Sequence, residues 1–306
     1  MGRKPNLYMS EPKAWMNMLR ISNSPTIVSN IMVGVALAII AHREQWSTHL
    51  NSPPLQLTKP LLFIIVVLLL LYFAGMVLND AFDAKRDQKI RPERPIPQGV
   101  ITAKQAWITG FVMIAIATLL AFKIGVATGI STLALAFTIL LYTFLHHCPV
   151  AAIPLMAICR GLVYVVAVSA FSVHNQGPII LIYCGIIAIY TAVLTFVGTF
   201  EHEKQTRYSW IIWVTLLPAV LPIVLYGLDS PIAWFAFIAF FIWILFAWRN
   251  FLAPDNKPIS GMHKLISGFA LLDCILIAAI GEYFIMIISA ICFVFTVAAH
   301  RKILGT

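Results

Sequence analysis

The run LLFIIVVLLLLYFAGMVL, residues 61–78, decides the fold class. It carries no charge and no alternation of polarity, and as a helix rising 1.5 Å per residue it reaches about 27 Å, close to the ~30 Å hydrocarbon core of a bilayer. A barrel strand would alternate apolar and polar side chains, which this run does not do. Comparable blocks recur through the 306-residue chain, giving ten candidate spans: 24–41, 61–78, 106–122, 125–145, 150–170, 178–200, 210–227, 231–248, 265–280 and 283–299. The whole chain is 60% hydrophobic and 11% charged, with a mean hydropathy of +0.90; a soluble domain carries about 25% charged residues. The expectation is an all-α, polytopic transmembrane helical bundle of nine or ten spans, built as a single membrane-embedded domain over residues 1–306. Only Gly281-Glu282 separates the last two spans, so one long bent helix is an alternative there.

The net charge of +9 raises nucleic-acid binding until the charges are placed. With a cytoplasmic N-terminus, the inside segments hold 17 of the 21 Lys and Arg residues; the outside loops hold Arg43, Lys59 and Lys123, and Arg160 falls within span 5. That asymmetry follows the positive-inside rule and puts both termini in the cytoplasm. The basic excess is a topology signal, and no nucleic-acid partner is expected. None of the five cysteines lies in an outside loop or in a metal-ligand spacing, so disulfides and zinc are not expected. The polar, basic first twenty residues do not read as a cleavable signal peptide.

The rare charges cluster. Nine of the 33 lie between Asp80 and Arg94, inside the stretch NDAFDAKRDQKIRPERPIPQG, residues 79–99. No proline interrupts it before Pro92, so span 2 can continue as helix into the polar zone. On that helix Asp80, Asp83 and Asp87 stand at i, i+3 and i+7 and line one face, with Asn79 beside Asp80. Such crowding is unfavourable without a cation, and hard oxygen ligands suit Mg²⁺, which binds one or two carboxylates together with phosphate oxygens. Arg91 and Arg94 follow, and guanidinium groups grip phosphate bidentately. Carboxylates for a metal beside arginines for an anion describe a diphosphate site at a membrane surface. A solvated juxtamembrane charge run is the plainer alternative.

The order Asn79-Asp80-x-x-Asp83-x-x-x-Asp87-x-x-x-Arg91-x-x-Arg94-Pro95-x-Pro97-x-Gly99 resembles the first aspartate-rich motif of the UbiA superfamily of intramembrane prenyltransferases, at the family spacing and between the second and third spans. The resemblance implies a UbiA-type all-α bundle with a central cavity, and Mg²⁺-dependent transfer of a prenyl group from an isoprenoid diphosphate to a small lipophilic or aromatic acceptor. By it Asp80, Asp83 and Asp87 hold the metal and serve catalysis, and Asn79, Arg91 and Arg94 bind the diphosphate. The second motif departs from the family: the loop reads GTFEHEKQTR, with Glu201 and Glu203 at i and i+2, which cannot share one helical face. In the functional reading Glu203 together with Glu201 supplies a second metal, with Lys204 or Arg207 on the diphosphate; in the plain reading Glu203 and Arg207 are an i,i+4 pair.

Two further positions matter. YTFLHHCP ends span 4 where relatives often read Tyr-x-x-x-Lys-Arg, so His146 and His147 stand where permanent cations are usual, and His146 becomes a diphosphate candidate. Arg160, in Cys159-Arg160-Gly161-Leu162, is a cation within the membrane and is expected to face the cavity and the diphosphate, or else to pair with Asp273. The Leu19-Arg20 entry, the Cys-Arg-Gly-Leu stretch and the extra span look similar to EboC-type UbiA-like proteins, which places the chain in a bacterial inner (plasma) membrane. The departures keep a second expectation open, a catalytically degenerate UbiA-like isoprenoid-binding or carrier protein. An ordinary transporter ranks last, because its ionisable groups would gather near the bilayer midplane. Chain length of the donor, the acceptor and the oligomeric state are not written in the sequence.

Overall fold

The computed structural model describes residues 10–48, 58–171, 177–199, 210–252 and 258–302, and among them there is no strand. A short helix α1 (Glu11–Met18) and one 3-10 turn (Ile21–Asn23) lead into α2 (Ser24–Thr48). The others are α3 (Thr58–Ile90), α4 (Ala103–Ile124), α5 (Val126–Leu145), α6 (Pro149–Ser169), α7 (Gly177–Thr199), α8 (Ile211–Pro222), α9 (Pro231–Leu252), α10 (Pro258–Ala279) and α11 (Tyr283–Lys302). Each of the ten expected spans is a helix. Among the described residues nine are long and apolar enough to cross a membrane, and Ile211–Gly227 is shorter. Pro218 and Pro222 explain the difference: each lacks the N–H that an α-helix needs, and after Pro222 the chain widens into a π turn over Ile223–Gly227.

Local sequence sets the ends. Thr102 and Gln105 close a capping box at the start of α4. Proline opens α6, α9 and α10, where a missing N–H is harmless. α3 stops at Ile90 because Arg91 precedes Pro92 and is pushed out of the helical region. The last two spans are separate helices: Gly281 takes φ +82°, and the N–H groups of Gly281 and Glu282 donate back to the carbonyls of Ala278 and Ile277. Arg43 pins that turn through Glu282 at 2.6 Å.

α2 and α10 are the most enclosed spans and pack on each other, with α6 and α11 against α2. The approach of α2 to α6 is close at Gly34, where an added Cβ would stand 2.4 Å from that of Ala167. Small residues serve this purpose in membrane bundles, where backbone proximity replaces the hydrophobic effect as the source of cohesion. One buried polar knot joins the same helices. Asp273 of α10 accepts hydrogen bonds from Ser29 and Asn30 of α2, the latter at 2.8 Å, and from the Tyr164 hydroxyl of α6. Outward, Leu119, Phe137, Phe235 and Phe284 are each more than 60% exposed, on α4, α5, α9 and α11. Apolar patches on that scale need lipid, and the protein is an integral membrane protein.

Two substitutions test this packing. Gly34→Leu overpacks the α2–α6 contact and is expected to destabilise by about 1–3 kcal/mol, seen as a lower thermal-unfolding midpoint in detergent. Asp273→Ala leaves three buried donors without their acceptor and is expected to lower the midpoint by a similar amount, about 1–3 kcal/mol; an unchanged midpoint would mean that the knot does not hold the helices.

Candidate functional site

Asp80, Asp83 and Asp87 are all buried on the last three turns of α3. At 100° per residue, positions 80 and 87 fall within about 20° of one another while 83 stands about 60° to the side. The partners divide accordingly. Arg94 reaches back from the loop with one nitrogen, Nη1, 2.6 Å from Asp87 Oδ2 and 3.3 Å from Asp80 Oδ1. Asp83 instead meets the turn between α5 and α6, with His146 Nε2 3.2 Å from its Oδ2 and His147 Nε2 3.1 Å from its Oδ1.

The return of Arg94 is a property of the 91–101 loop. Successive turns donate Arg94 N–H to the Arg91 carbonyl, Gln98 N–H to Arg94 and Gly99 N–H to Ile96, and Gly99 supplies a φ of +75°. Ile101 and Ala106 then pack with Val77 and Ala81 of α3 and with Ala14 and Met18 of α1. Arg94 is thereby buried, whereas Arg91 stays exposed and makes no ion pair among the described residues. The two arginines that the sequence treats alike do different things.

Arg20 joins the site, a residue that sequence reasoning left as part of the entry to span 1. Its Nη2 lies 3.5 Å from Asp80 Oδ1 and its Nη1 3.4 Å from the Met76 sulfur. It is the one described non-glycine residue with positive φ, at φ 47° and ψ 50°. Tyr72 holds that conformation by donating its hydroxyl to the Arg20 carbonyl at 3.1 Å. A left-handed arginine costs of order 1–3 kcal/mol and persists where surrounding structure over-determines it. A cation just before a span reads as topology, so only the fold could reveal this role.

The histidines differ from each other. His146 caps the end of α5, and its Nδ1 faces the Thr143 carbonyl at 2.8 Å. Burial works against its charge, but the Asp83 hydrogen bond, the Thr143 carbonyl and the Asp83 charge outweigh it and lift the pKa above the ordinary histidine value. His147 is lowered, by burial and by the neighbouring His146. Asn79 Oδ1 and Asp83 Oδ1 are enclosed and accept no aligned hydrogen bond. The unpartnered Asn79 oxygen, a hard donor beside three carboxylates, fits Mg²⁺.

Other candidates fall elsewhere. Arg160 makes no ion pair with the aspartates or with Asp273; it donates to Thr26 Oγ1 at 2.9 Å and its guanidinium lies 4.1 Å from the centre of the Phe269 ring. Glu201, His202, Glu203, Lys204 and Arg207 lie outside the described residues. Two arginine variants separate the roles in the first motif. Arg94→Met strands the buried Asp87 carboxylate, leaves Asp80 only its longer Arg20 contact and is expected to destabilise the metal-free protein by about 3–5 kcal/mol, whereas Arg20→Met, at a longer and wetter contact, is expected to cost within about 1 kcal/mol; chemical denaturation in a chelating buffer reads both.

Comparison with known proteins follows the same lines. The segment that matches digeranylgeranylglyceryl phosphate synthase of Methanosarcina mazei is 39% identical over 79 residues, 26% of this chain and 27% of that protein. The synthase of the same name from Pyrococcus horikoshii is 31% identical over 137 residues, 44% of each chain. These matches therefore span less than half the length of either relative. In fold, a structure of a UbiA homolog from Archaeoglobus fulgidus bound to GPP and Mg²⁺ superposes with a TM-score of 0.55 at 12% identity, covering 94% of this chain and 99% of that one. Residues 31–268, which include the three aspartates, Arg94 and both histidines, match the UbiA prenyltransferase family, and the chain belongs to that family.

Proposed function

We propose that the protein transfers a prenyl group from an isoprenoid diphosphate to a lipophilic acceptor inside the membrane, with Mg²⁺ bound at Asp80, Asp83 and Asp87. The observation that carries this reading is the set of three buried carboxylates and one buried arginine at the polar end of an apolar helix. When bound, the metal would neutralise the diphosphate and make it a better leaving group. Arg94 and Arg20 are the cations already aimed at this face, and their N–H groups would take phosphoryl oxygens as the allylic C–O bond lengthens. Asn79 offers a further oxygen, Arg91 a solvent-side cation and His146 a donor from the facing turn. Arg160, deeper in α6 between Thr26 and Phe269, would line the path to the acceptor. The lipid-facing helices would keep water from the allylic cation until the acceptor captures it.

By the same reading Glu203 with Glu201 would give carboxylate ligands to a second metal, and Lys204 or Arg207 a cation to the diphosphate. The names of the relatives make a prenylated glyceryl phosphate the first acceptor to offer. Counting the shorter Ile211–Gly227 helix as a tenth span would put both termini on one side, and the distribution of Lys and Arg supports the cytoplasmic side. The chain would act as one domain. A second reading, binding without transfer, draws on His146 and His147, which occupy Asp83 where permanent cations are usual in relatives.

The test is a mass-spectrometric assay of purified protein in nanodiscs with geranyl or geranylgeranyl diphosphate and a panel of prenylated glyceryl phosphate and phenolic acceptors. Product is expected with Mg²⁺ and not with chelator, and Asp80→Asn or Asp83→Asn should lower turnover by about a hundredfold or more. Retained diphosphate binding without product from any acceptor would favour the second reading. No binding and no product would overturn both.

A further inference from the structure

The three aspartates of the first motif do not share one environment. Asp80 and Asp87 look at an arginine, but Asp83 looks at two imidazole nitrogens, and one ligand atom from each of Asp83, His146 and His147 lies within 4.8 Å of the others. We propose that Asp83, His146 and His147 form a mixed nitrogen and oxygen cation site that takes a borderline transition-metal ion, Zn²⁺ or Co²⁺, in preference to Mg²⁺.

Geometry comes first. A tetrahedral ion with bonds of about 2.0–2.1 Å separates its ligand atoms by roughly 3.3–3.4 Å. The two histidine nitrogens stand 3.2 and 3.1 Å from different oxygens of Asp83, and one ligand atom from each residue lies within 4.8 Å of the others, so side-chain rotations that close the widest pair by up to about 1.5 Å would seat the ion. The second shell is also in place. His146 Nδ1 faces the Thr143 carbonyl at 2.8 Å, and with its N–H donated there, loss of the Nε2 proton that is shared with Asp83 turns the Nε2 lone pair toward the site, the arrangement that orients metal-bound imidazoles. Both histidines are fixed by the short turn from the end of α5 to Pro149 at the start of α6. His147 keeps 39% of its side chain exposed, so the site opens to the polar rim and three protein ligands leave a fourth position for water or a phosphate oxygen.

Ligand chemistry then sets the choice of ion. Imidazole suits Zn²⁺ and Co²⁺, whereas Mg²⁺ keeps oxygen ligands and several waters. A nitrogen-bound ion here would share Asp83 with the diphosphate site and compete with Mg²⁺ for it. One contact opposes binding. Arg86 Nη1 lies 2.5 Å from His147 Nδ1, and a guanidinium only donates, so His147 in that contact carries its own proton on Nε2. Ligation moves that proton to Nδ1 and sends Arg86 away. Arg86 is exposed and can turn into water, which makes it a brake on the site and gives a variant that acts opposite to the ligands.

The experiment uses tag-free full-length protein, stripped with chelator, in detergent or nanodiscs, titrated with Co²⁺ and followed by its visible absorption. One Co²⁺ per chain is expected, with the strong band of a four- or five-coordinate site, retained in excess Mg²⁺ and bleached by Zn²⁺. His146→Gln or His147→Gln should weaken binding by about tenfold or more. Arg86→Ala should tighten it, and since Arg86 is exposed this variant remains readable if a histidine variant misfolds. Asp80→Asn should keep the band, which separates this site from the Asp80–Asp87 face. A weak six-coordinate spectrum, displacement by equimolar Mg²⁺, or indifference to both the histidine and Arg86 variants would overturn the proposal. The inference rests on the proposed function only through the shared Asp83. A protein that transfers no prenyl group but shows the Co²⁺ band would refute that function and leave this site standing.

Discussion

Three carboxylates within two turns of one helix repel one another, and at the edge of a hydrocarbon layer little water is available to screen them. The rest of the site is a response to that constraint. Arg94 is folded back over the helix by its own loop, Arg20 is held in a left-handed conformation by Tyr72, and the turn before α6 brings two imidazoles. The cations come from three different parts of the chain and converge on three positions of α3. Charge compensation thus ties the link between α1 and α2, the loop after α3 and the α5–α6 turn to a single helix end.

The centre of the bundle solves a related problem with different means. Asp273 is fully buried, and neutral donors rather than a cation satisfy it. Arg160, one helix away, is likewise served by a hydroxyl and an aromatic face. Separate satisfaction avoids a tight buried ion pair, whose desolvation would have to be recovered from attraction alone. It also leaves the helices α2, α6 and α10 joined by directional contacts in a medium that offers no hydrophobic drive for them to associate.

Much of this was legible in the sequence, and the boundary is instructive. Apolar blocks located the helices α2 to α11, because in lipid only a helix satisfies the backbone of such a block, but not the short amphipathic α1 or the seven polar-zone residues that α2 adds after 41 and α10 before 265. The proline-free run from Asn79 to Arg91 announced the continuation of α3, and the 3- and 4-residue spacing placed the carboxylates. What lay beyond local pattern was pairing. Nothing in the spacing separates Arg91 from Arg94; the loop's turns bury one and expose the other. The partners of Asp83 are more than sixty residues away, and those of Asp273 more than a hundred, so neither was available to periodicity. Gly281-Glu282 allowed either a bend or a reversal, and the positive φ of Gly281 settled it as a reversal.

α3 has 33 residues, which as a helix is roughly 50 Å, against a hydrocarbon core of about 30 Å. Its apolar run, residues 61–78, accounts for about 27 Å of that length, and the rest continues as helix past the end of the run and carries the aspartates. The α5–α6 turn that faces those aspartates is carried by helices of 20 and 21 residues, which just match the core. Rods of unequal length tilt by different amounts when a bilayer thins or thickens. Membrane thickness therefore enters the local geometry at Asp83, and lipid composition becomes a variable of the site as much as of its surroundings.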